Sequence, residues 1–74
     1  MQSQPVTLIR RVELQRRVGL SKSAIYDRLD PKSTRHDPSF PRPVSLGGGR
    51  AVGFLEHEVD AYIAALVEAS RAAA

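Results

Sequence analysis

The sequence predicts a small α+β domain in which two short helices are followed by a two-stranded hairpin and a C-terminal helix. The chain has 74 residues, which is enough for one domain and no more. Apolar residues recur at helical spacing in three segments. In a fourth segment they alternate on both sides of three consecutive glycines, as they do in a β-hairpin.

The first helix is predicted over residues 12–18. Leu14 and Val18 lie four positions apart and therefore share one helical face. Gly19 comes directly after the second of them. A glycine at this point ends a helix because it adopts the left-handed backbone conformation without a Cβ clash. We therefore expect a tight turn at Gly19.

The second helix is predicted over residues 22–29, with Ser21 as the N-cap whose side-chain oxygen accepts a backbone N–H. Ile25 and Leu29 form its apolar stripe. Pro31 ends the helix because a proline disfavours the helical conformation in the residue before it. Two short helices joined by a glycine turn have the layout of a helix-turn-helix unit, whose second helix can enter the major groove of DNA. The same layout also occurs as a corner in other small helical proteins.

A loop and then the hairpin follow the second helix. Residues 30–39 contain two prolines and no large apolar side chain, which predicts a loop. The hairpin is predicted over residues 44–54, where apolar residues alternate around Ser45 in the first strand and around Gly53 in the second. The three glycines at 47–49 connect the two strands, and a hairpin turn that needs positive φ is sufficient to explain them.

The third helix is predicted over residues 56–70. Apolar residues recur at spacings of four, four and three from Leu55 to Leu66. We expect this stripe to be covered inside the domain, which favours a monomer or a weak dimer in solution. The predicted boundaries are a flexible N-terminal tail at 1–7, a domain at 8–70 and a frayed C-terminus at 71–74.

The order of these elements and the distribution of charge both indicate a winged helix-turn-helix domain that binds DNA. In that architecture a two-stranded wing and a packing helix follow the helix-turn-helix. Residues 1–50 carry ten Lys and Arg against four Asp and Glu, a balance of +6, whereas residues 51–74 carry one Arg against four acids, a balance of −3. A basic body with an acidic last helix favours a polyanionic partner on one side, with nucleic acid ahead of an anionic membrane surface. A solvated cationic face without a partner would have the same composition.

Other classes of function are disfavoured by the residues that the sequence lacks. The chain has no cysteine, which excludes disulfide frameworks, thiol nucleophiles and Cys-rich zinc sites. His36 and His57 have no metal-ligand spacing, so we expect no metal and no cofactor. The sequence has neither a Gly-x-Ser-x-Gly nor a His-Glu-x-x-His motif, and we expect no enzyme activity. It also has no apparent signal peptide or membrane span, so we expect a cytoplasmic, nucleoid-associated protein.

Three stretches of the chain support a more specific interpretation. They are VGLSKSAIYDRL at 18–29, FPRPVSLGGGRAVGF at 40–54 and LEHEVDAYI at 55–63. Together they resemble the AlpA-like regulators of prophages and mobile elements, which are related to phage excisionases and share the MerR-like winged fold. The resemblance implies a recognition helix at 21–29 in the major groove and a wing at 44–54 on the DNA backbone or in the minor groove. Members of this family activate or repress prophage genes, or direct the action of an integrase.

The resemblance also implies which side chains contact DNA. Candidates in the recognition helix are Ser21, Lys22, Ser23 and Tyr26, together with Asp27. Candidates in the wing are Gly47, Gly48, Gly49 and Arg50, with Arg42 at the base of the wing as a phosphate contact. Further candidate phosphate contacts are Arg16, Arg17, Arg28, Lys32 and Arg35. We expect Arg10, Arg11, Arg16 and Arg17 to form a solvated cationic face that adds long-range attraction, with one or two of them touching phosphate.

Two features depart from the family pattern. The position of Asp27 is commonly basic, and this carboxylate either accepts a hydrogen bond from a cytosine amino group or pairs with a neighbouring arginine. The loop over 30–39 is longer than the family usually has. Its Lys32 and Arg35 are either extra phosphate contacts or part of a disordered segment.

Three functions are compatible with the sequence. The first is a sequence-specific DNA-binding transcriptional regulator acting on double-stranded DNA. The second is an excisionase-like factor that bends DNA for recombination and binds cooperatively to tandem sites. The third is a protein-interaction or anti-repressor module on the same fold, which the carboxylate of Asp27 keeps open. Candidate protein partners are an integrase or recombinase and RNA polymerase.

Overall fold

The computed structural model describes residues 6–73 and contains three helices and three short strands. In chain order these are β1 (Leu8–Ile9), α1 (Arg11–Val18), α2 (Lys22–Leu29), β2 (Val44–Ser45), β3 (Val52–Leu55) and α3 (Glu56–Ala73). Two helices, a hairpin and a third helix follow one another as predicted. The small α+β fold of the winged helix-turn-helix kind is therefore confirmed.

Strand β1 is the element that the sequence pattern does not predict. Leu8 pairs with Leu55 and Ile9 with Phe54, so that β3 is the central strand of an antiparallel sheet in the order β1-β3-β2. A two-residue strand is too short to show an alternation of apolar and polar residues. The backbone carbonyl of Thr7 also accepts a hydrogen bond from the Glu56 N–H at 2.8 Å. Of the tail predicted at 1–7, residues 1–5 lie outside the described residues.

The hairpin forms where the alternation predicts it. Val44 lies opposite Gly53 and Ser45 opposite Val52. The Leu46 N–H donates to the Ala51 carbonyl at 2.9 Å, so residues 47–50 form the tip. A Cβ at Gly53 would lie 3.3 Å from Leu46 Cδ2 and 3.3 Å from the Cβ of Leu8 in β1. A larger residue at this position of the central strand would therefore require its neighbours to shift by a few tenths of an ångström.

The turn between α1 and α2 also has the predicted geometry. Gly19 has a left-handed backbone with φ 71° and ψ 27°, and its N–H donates to the Gln15 carbonyl at 2.9 Å. The hydroxyl oxygen of Ser21 accepts a hydrogen bond from the Ala24 N–H at 3.1 Å. These two contacts satisfy backbone groups that helix ends leave without partners. The glycine stop and the serine cap are confirmed.

The hydrophobic core is assembled from all three helices, two strands and one loop residue. Leu14, Ile25 and Val59 are fully buried, one from each helix, and they confirm the predicted apolar stripes. The other members of the core are Ile9, Phe40, Phe54 and Tyr62, and Pro41 beside Phe40 is buried as well. Strand β2 contributes no buried side chain. So small a core leaves little redundancy, because a short domain buries a small fraction of its surface.

Helix α3 differs from its prediction in length and in burial. It continues to Ala73 rather than ending near residue 70, which agrees with the high helix propensity of alanine and with the position of Arg71 in the last turn. The prediction that its apolar stripe is wholly internal is wrong. Leu66 is 48% exposed and Val67 is 41% exposed. Within the described part of the helix, no residue beyond Tyr62 is buried.

The loop over 30–39 is folded into hydrogen-bonded turns rather than disordered. The Asp37 N–H donates to the Arg28 carbonyl at 2.9 Å. The Asp37 carboxylate accepts hydrogen bonds from the Ser39 N–H at 3.0 Å, the Ser39 hydroxyl at 2.6 Å and the Tyr62 hydroxyl at 2.8 Å. Phe40 is buried beside it, with its ring edge-on to Tyr62 at a centroid distance of 4.9 Å. Asp37 therefore fastens the loop to α3.

These contacts change the acidity of both partners. The hydroxyl of Ser39 donates a hydrogen bond to the Asp37 carboxylate and is the largest cause that holds the pKa of Asp37 below its ordinary value. The hydrogen bond from the Tyr62 hydroxyl is the second cause and acts in the same direction. Burial raises the pKa of the Tyr62 phenol, and the adjacent Asp37 carboxylate raises it further. The ionised form of Asp37 is therefore stabilised by folding.

We expect Asp37→Asn to lower the free energy of unfolding by about 1 kcal/mol at neutral pH, because it replaces a charge-assisted acceptor with a neutral one. The pKa of Asp37 is lowered in the folded protein, so its contribution is present above the pKa of the unfolded chain. It disappears as the pH falls through the pKa of the folded state. The difference in melting temperature between Asp37→Asn and the unchanged protein should therefore shrink on acidification.

Asp30→Asn is the matched control for this measurement. Asp30 lies in the same loop, and its carboxylate accepts one hydrogen bond from the Lys32 N–H at 2.9 Å. We expect it to change the melting temperature less than Asp37→Asn does at neutral pH. Equal effects of the two substitutions would contradict a special role for the contact between Asp37 and Tyr62.

Candidate nucleic-acid interface

The exposed face of α2 carries the polar side chains that were predicted to contact DNA. Ser21, Lys22 and Ser23 are exposed at the start of the helix. Tyr26 is 49% exposed one turn further on. Ile25 faces the core from the same helix, so burial of the apolar stripe directs these four side chains to solvent. Short polar groups and a lysine on an exposed helical face are suited to contacts with base edges and phosphates.

Asp27 is half-buried on the same helix. Two explanations were open for its carboxylate, namely pairing with an arginine and contact with a cytosine. Within residues 6–73 the ion pairs join arginines of α1 to Glu13, Glu56 and Asp60, and none involves Asp27. The pairing with a neighbouring arginine is therefore not observed. The contact with a cytosine stays a prediction.

The tip of the wing is exposed and has two different kinds of glycine. Gly47 and Gly49 have positive φ values of 88° and 70°, which explains glycine at both positions. Gly48 does not have a positive φ, and a Cβ built on it would meet no atom within 4 Å. The fold therefore requires glycine at 47 and 49 but not at 48. At Gly48 the backbone faces open space and has no side chain to cover it.

A cleft joins the wing to α2 and to the beginning of α1. Its volume is about 390 Å³. Its basic and aromatic lining comes from Arg10, Arg11, Arg50 and Tyr26, above apolar residues that include Val12 and Val52. We call this the basic cleft. It brings together Tyr26 and Arg50, which the sequence assigned to two separate contact surfaces.

The basic cleft has an uncompensated positive charge. None of its lining residues within the described part of the chain is Asp or Glu. Arg10 and Arg50 take part in none of the ion pairs formed among residues 6–73, and Arg11 donates a hydrogen bond to the neutral amide of Gln15. Helix α1 begins at Arg11, and the positive end of its dipole adds to the potential there.

Arg10 and Arg11 are the members of the cationic face that the sequence did not connect with the wing. One or two of the four arginines in that face were expected to touch phosphate, but nothing in the sequence singled out these two, which lie 40 and 39 positions before Arg50. Strand β1 brings them close, since Ile9 pairs with Phe54 in the second strand of the wing. Strand β1 has only two residues, which is too short to leave a pattern in a single sequence from which this pairing could be predicted.

The other arginines of α1 are engaged with acids. Arg17 contacts Glu13 at 3.0 Å and, in α3, Glu56 at 2.8 Å and Asp60 at 3.8 Å. Arg16 contacts Glu13 at 2.9 Å. The hydrogen bond from Arg17 is the main cause that lowers the pKa of Glu13. The structure thus uses Arg17 to connect α1 with α3, and the two arginines do not line the basic cleft.

None of the remaining predicted cations lines the basic cleft. Arg42 lines two grooves that contain Phe40, and Arg28 joins it in the one that shares Leu29 and Pro43 with the basic cleft. Arg28 is half-buried and donates to the Ala24 carbonyl at 3.2 Å. Lys32 is exposed in the loop, as is Arg35. The structure therefore does not bring these four side chains together with the basic cleft.

Membrane-spanning and metal-binding features are not found within the described residues. No helix in residues 6–73 has both the length and the apolar character needed to cross a membrane. In the same part of the chain, no group of three His, Asp or Glu side chains is arranged to hold a metal ion.

Comparison with known proteins gives two matches. The family model described as prophage CP4-57 regulatory protein (AlpA) matches residues 7–67. The DNA-binding transcriptional activator AlpA of Escherichia coli strain K12 is 36% identical over 58 residues, which cover 78% of this chain and 81% of the relative. No solved structure matches the chain at a significant level. The matched region contains every described strand and both helices of the helix-turn-helix.

Proposed function

Because this chain belongs to the AlpA family of prophage regulatory proteins, we propose that it is a sequence-specific DNA-binding transcriptional regulator. The observation that carries this proposal is the basic cleft, in which Tyr26 of α2 and Arg50 of the wing lie together. A recognition helix and a wing that share one basic face can engage a single DNA duplex. The name of the Escherichia coli relative supports the same function.

In the proposed mode, α2 lies in the major groove and the wing lies against the backbone or the minor groove. Ser23 contacts base edges, and Lys22 at the start of the helix contacts phosphate. Arg50 and the backbone of the wing tip contact phosphate or the minor groove. Phosphate contacts set the position of the protein on the duplex and base contacts specify the sequence. The acids Glu56 and Asp60 lie on α3 and contact Arg17, so these two carboxylates are paired with an arginine that does not line the basic cleft.

The number of copies on DNA follows from the size of the domain. A single module of this size buries roughly 600–1,000 Å² of its own surface on DNA, so high specificity needs several copies or a partner protein. We propose that the chain is a monomer or weak dimer in solution and that copies bind cooperatively to neighbouring sites. The exposed Leu66 and Val67 are apolar surface that a second protein can cover. Integrase, recombinase and RNA polymerase are the proposed partner classes on the bacterial nucleoid.

The excisionase-like function and the protein-interaction function differ from this proposal in their targets. An excisionase-like factor bends DNA and binds tandem sites near an attachment site. A protein-interaction module binds no DNA at physiological salt. Asp27 favours the last of these, since a carboxylate without an arginine partner on a recognition helix repels phosphate.

The test is a titration of the purified protein with three duplexes at two salt concentrations. The duplexes are DNA from upstream of its own gene, DNA from the nearest attachment site, and a scrambled sequence. Preference for the upstream fragment, with affinity that falls steeply as salt rises, is the expected result. Preference for the attachment site with bending would identify an excisionase-like factor. Equal and weak binding to all three duplexes would contradict a sequence-specific DNA-binding protein.

Gly48→Ala separates the folding role of the wing glycines from their binding role. We expect it to leave the melting temperature unchanged, or to raise the free energy of unfolding by up to about 1 kcal/mol, because the folded backbone accepts a Cβ there and the unfolded chain loses freedom. We expect weaker binding to every duplex, because the new methyl group occupies the space in which DNA would approach the backbone. Thermal melts and titrations measure the two effects.

Gly49→Ala is the matched control in the same tip. Its φ of 70° is in the left-handed region, so alanine should lower the free energy of unfolding by about 1–2 kcal/mol. Unchanged DNA affinity in Gly48→Ala would show that the missing side chain at 48 has no part in DNA binding.

A further inference from the structure

The position of the basic cleft is determined by the sheet. Ile9 of β1 is paired with Phe54 of β3, and Arg10 is the next residue along the chain. Arg50 lies two residues before the start of β3. The two arginines therefore extend from one antiparallel strand pair, one from each chain segment. Arg11 follows Arg10 as the first residue of α1, so the sheet and α1 together hold three guanidinium groups around one cleft.

The charge of this cleft differs from that of the other arginines on α1. Arg16 and Arg17 each contact a carboxylate at 3.0 Å or less. Arg10, Arg11 and Arg50 instead line a cleft whose described lining has no carboxylate. Planar guanidinium groups match the geometry of phosphate and form paired hydrogen bonds with it. A cleft of this composition is suited to an anion with several phosphate oxygens.

The apolar lining residues of the cleft, which we call its floor, indicate which kind of phosphate-containing molecule it can hold. Val12, Val52 and Phe54 line it together with the arginines, and Tyr26 is at its edge. A free inorganic anion gains nothing from apolar surface. A nucleic-acid strand alternates charged phosphates with largely apolar sugars, and it can place a phosphate on the guanidinium groups and a sugar on the floor. Acidic side chains of a protein partner would lack this alternation.

We infer that the basic cleft holds the sugar–phosphate backbone of one DNA strand, with Arg10 and Arg11 contacting phosphate directly together with Arg50. This inference rests on the proposed DNA-binding function and extends it by two residues that lie outside both the recognition helix and the wing. The strand in the cleft lies between the groove entered by α2 and the groove approached by the wing tip.

The experiment compares Arg10→Gln, and the double variant Arg10→Gln with Arg11→Gln, with the control Arg71→Gln. Arg71 is exposed in the last turn of α3, and its substitution changes the net charge as much as Arg10→Gln does. Each protein is titrated with the preferred duplex and with scrambled DNA at several salt concentrations. Thermal melts check that the variants fold. The double variant also removes the hydrogen bond between Arg11 and Gln15. If this loss disturbs α1, the single variant Arg10→Gln, which keeps that hydrogen bond, still tests the inference.

The expected result is an affinity about tenfold lower, or more, for each of the two arginines that is replaced, on preferred and scrambled DNA alike. The slope of log affinity against log salt should become shallower by about 0.9 for each phosphate that the variant no longer binds. Arg71→Gln should leave both quantities nearly unchanged. If the unchanged protein binds its preferred duplex and the cleft variants match Arg71→Gln, the inference is overturned while the proposed function stands. If the unchanged protein binds no DNA, both are overturned.

Discussion

Leu14→Ala is expected to lower the free energy of unfolding by about 2–5 kcal/mol, the range measured for large cavities in protein cores. Leu14 is 0% exposed, and its helix packs against β3, α2 and α3. Leucine and alanine both favour helix formation, so the destabilisation reflects the cavity rather than the helix itself. A domain of this length has about 4–11 kcal/mol of stability in total. The substitution should therefore remove a large part of it.

Thermal unfolding followed by circular dichroism measures this effect. A destabilisation of this size corresponds to a melting temperature lower by at least about 8 °C, given roughly 4–8 °C for each kcal/mol in a small domain. Val12→Ala is the matched control, because Val12 lies on the same helix but is 63% exposed. It should change the free energy of unfolding by no more than about 0.5 kcal/mol. Equal shifts in the two variants would contradict the central position of Leu14 in the core.

Arg50→Ala is expected to weaken binding to every duplex by about tenfold or more, since a hydrogen bond between a guanidinium group and phosphate is worth about 1.5–3 kcal/mol. Arg50 is exposed beside the wing tip and forms no ion pair within the described residues. Its removal should therefore leave the melting temperature nearly unchanged. The slope of log affinity against log salt should become shallower by about 1. Titrations at several salt concentrations measure both the affinity and the slope.

Ser23→Ala is the contrasting variant on the recognition helix. Ser23 is exposed and uncharged, so its substitution should change which sequence is preferred while the affinity for scrambled DNA stays the same. Selection of binding sites from a random library measures this preference. If neither Arg50→Ala nor Ser23→Ala changes affinity or preference, the proposed docking mode is wrong even where the unchanged protein binds DNA.

The local elements of this fold can be predicted from the sequence alone. Gly19 ends α1, and Ser21 caps α2. Each of these signals acts over a few residues through backbone conformation or a nearby hydrogen bond, so one sequence is enough to recognise it. The buried stripes of the helices follow from periodicity in the same way, as Leu14 and Val59 show. The fold class depended on the order of these local elements, and the family resemblance depended on the residues at 18–29, 40–54 and 55–63.

Contacts between distant residues depend on how the elements pack and could not be predicted from the sequence. Asp37 and Tyr62 are 25 positions apart, and neither residue type predicts the other. The extent of burial along α3 also depended on where the core ends, which left Leu66 and Val67 exposed although they continue the stripe. Periodicity shows which face of a helix is apolar, but packing partners decide how much of that face is covered.

The candidate DNA-binding site also combines features that are local in the sequence with a contact that depends on long-range packing. Sequence patterns assigned Tyr26 to a recognition helix and Arg50 to a wing, because each lies in a recognisable local motif. The basic cleft exists because β1 pairs with β3 in a fixed register, which carries Arg10 and Arg11 to the wing. A two-residue strand has no periodicity of its own, and its pairing is stabilised by burial of Ile9 against residues far along the chain. The sequence therefore determined which groups could bind DNA, and long-range sheet pairing decided which of them act together.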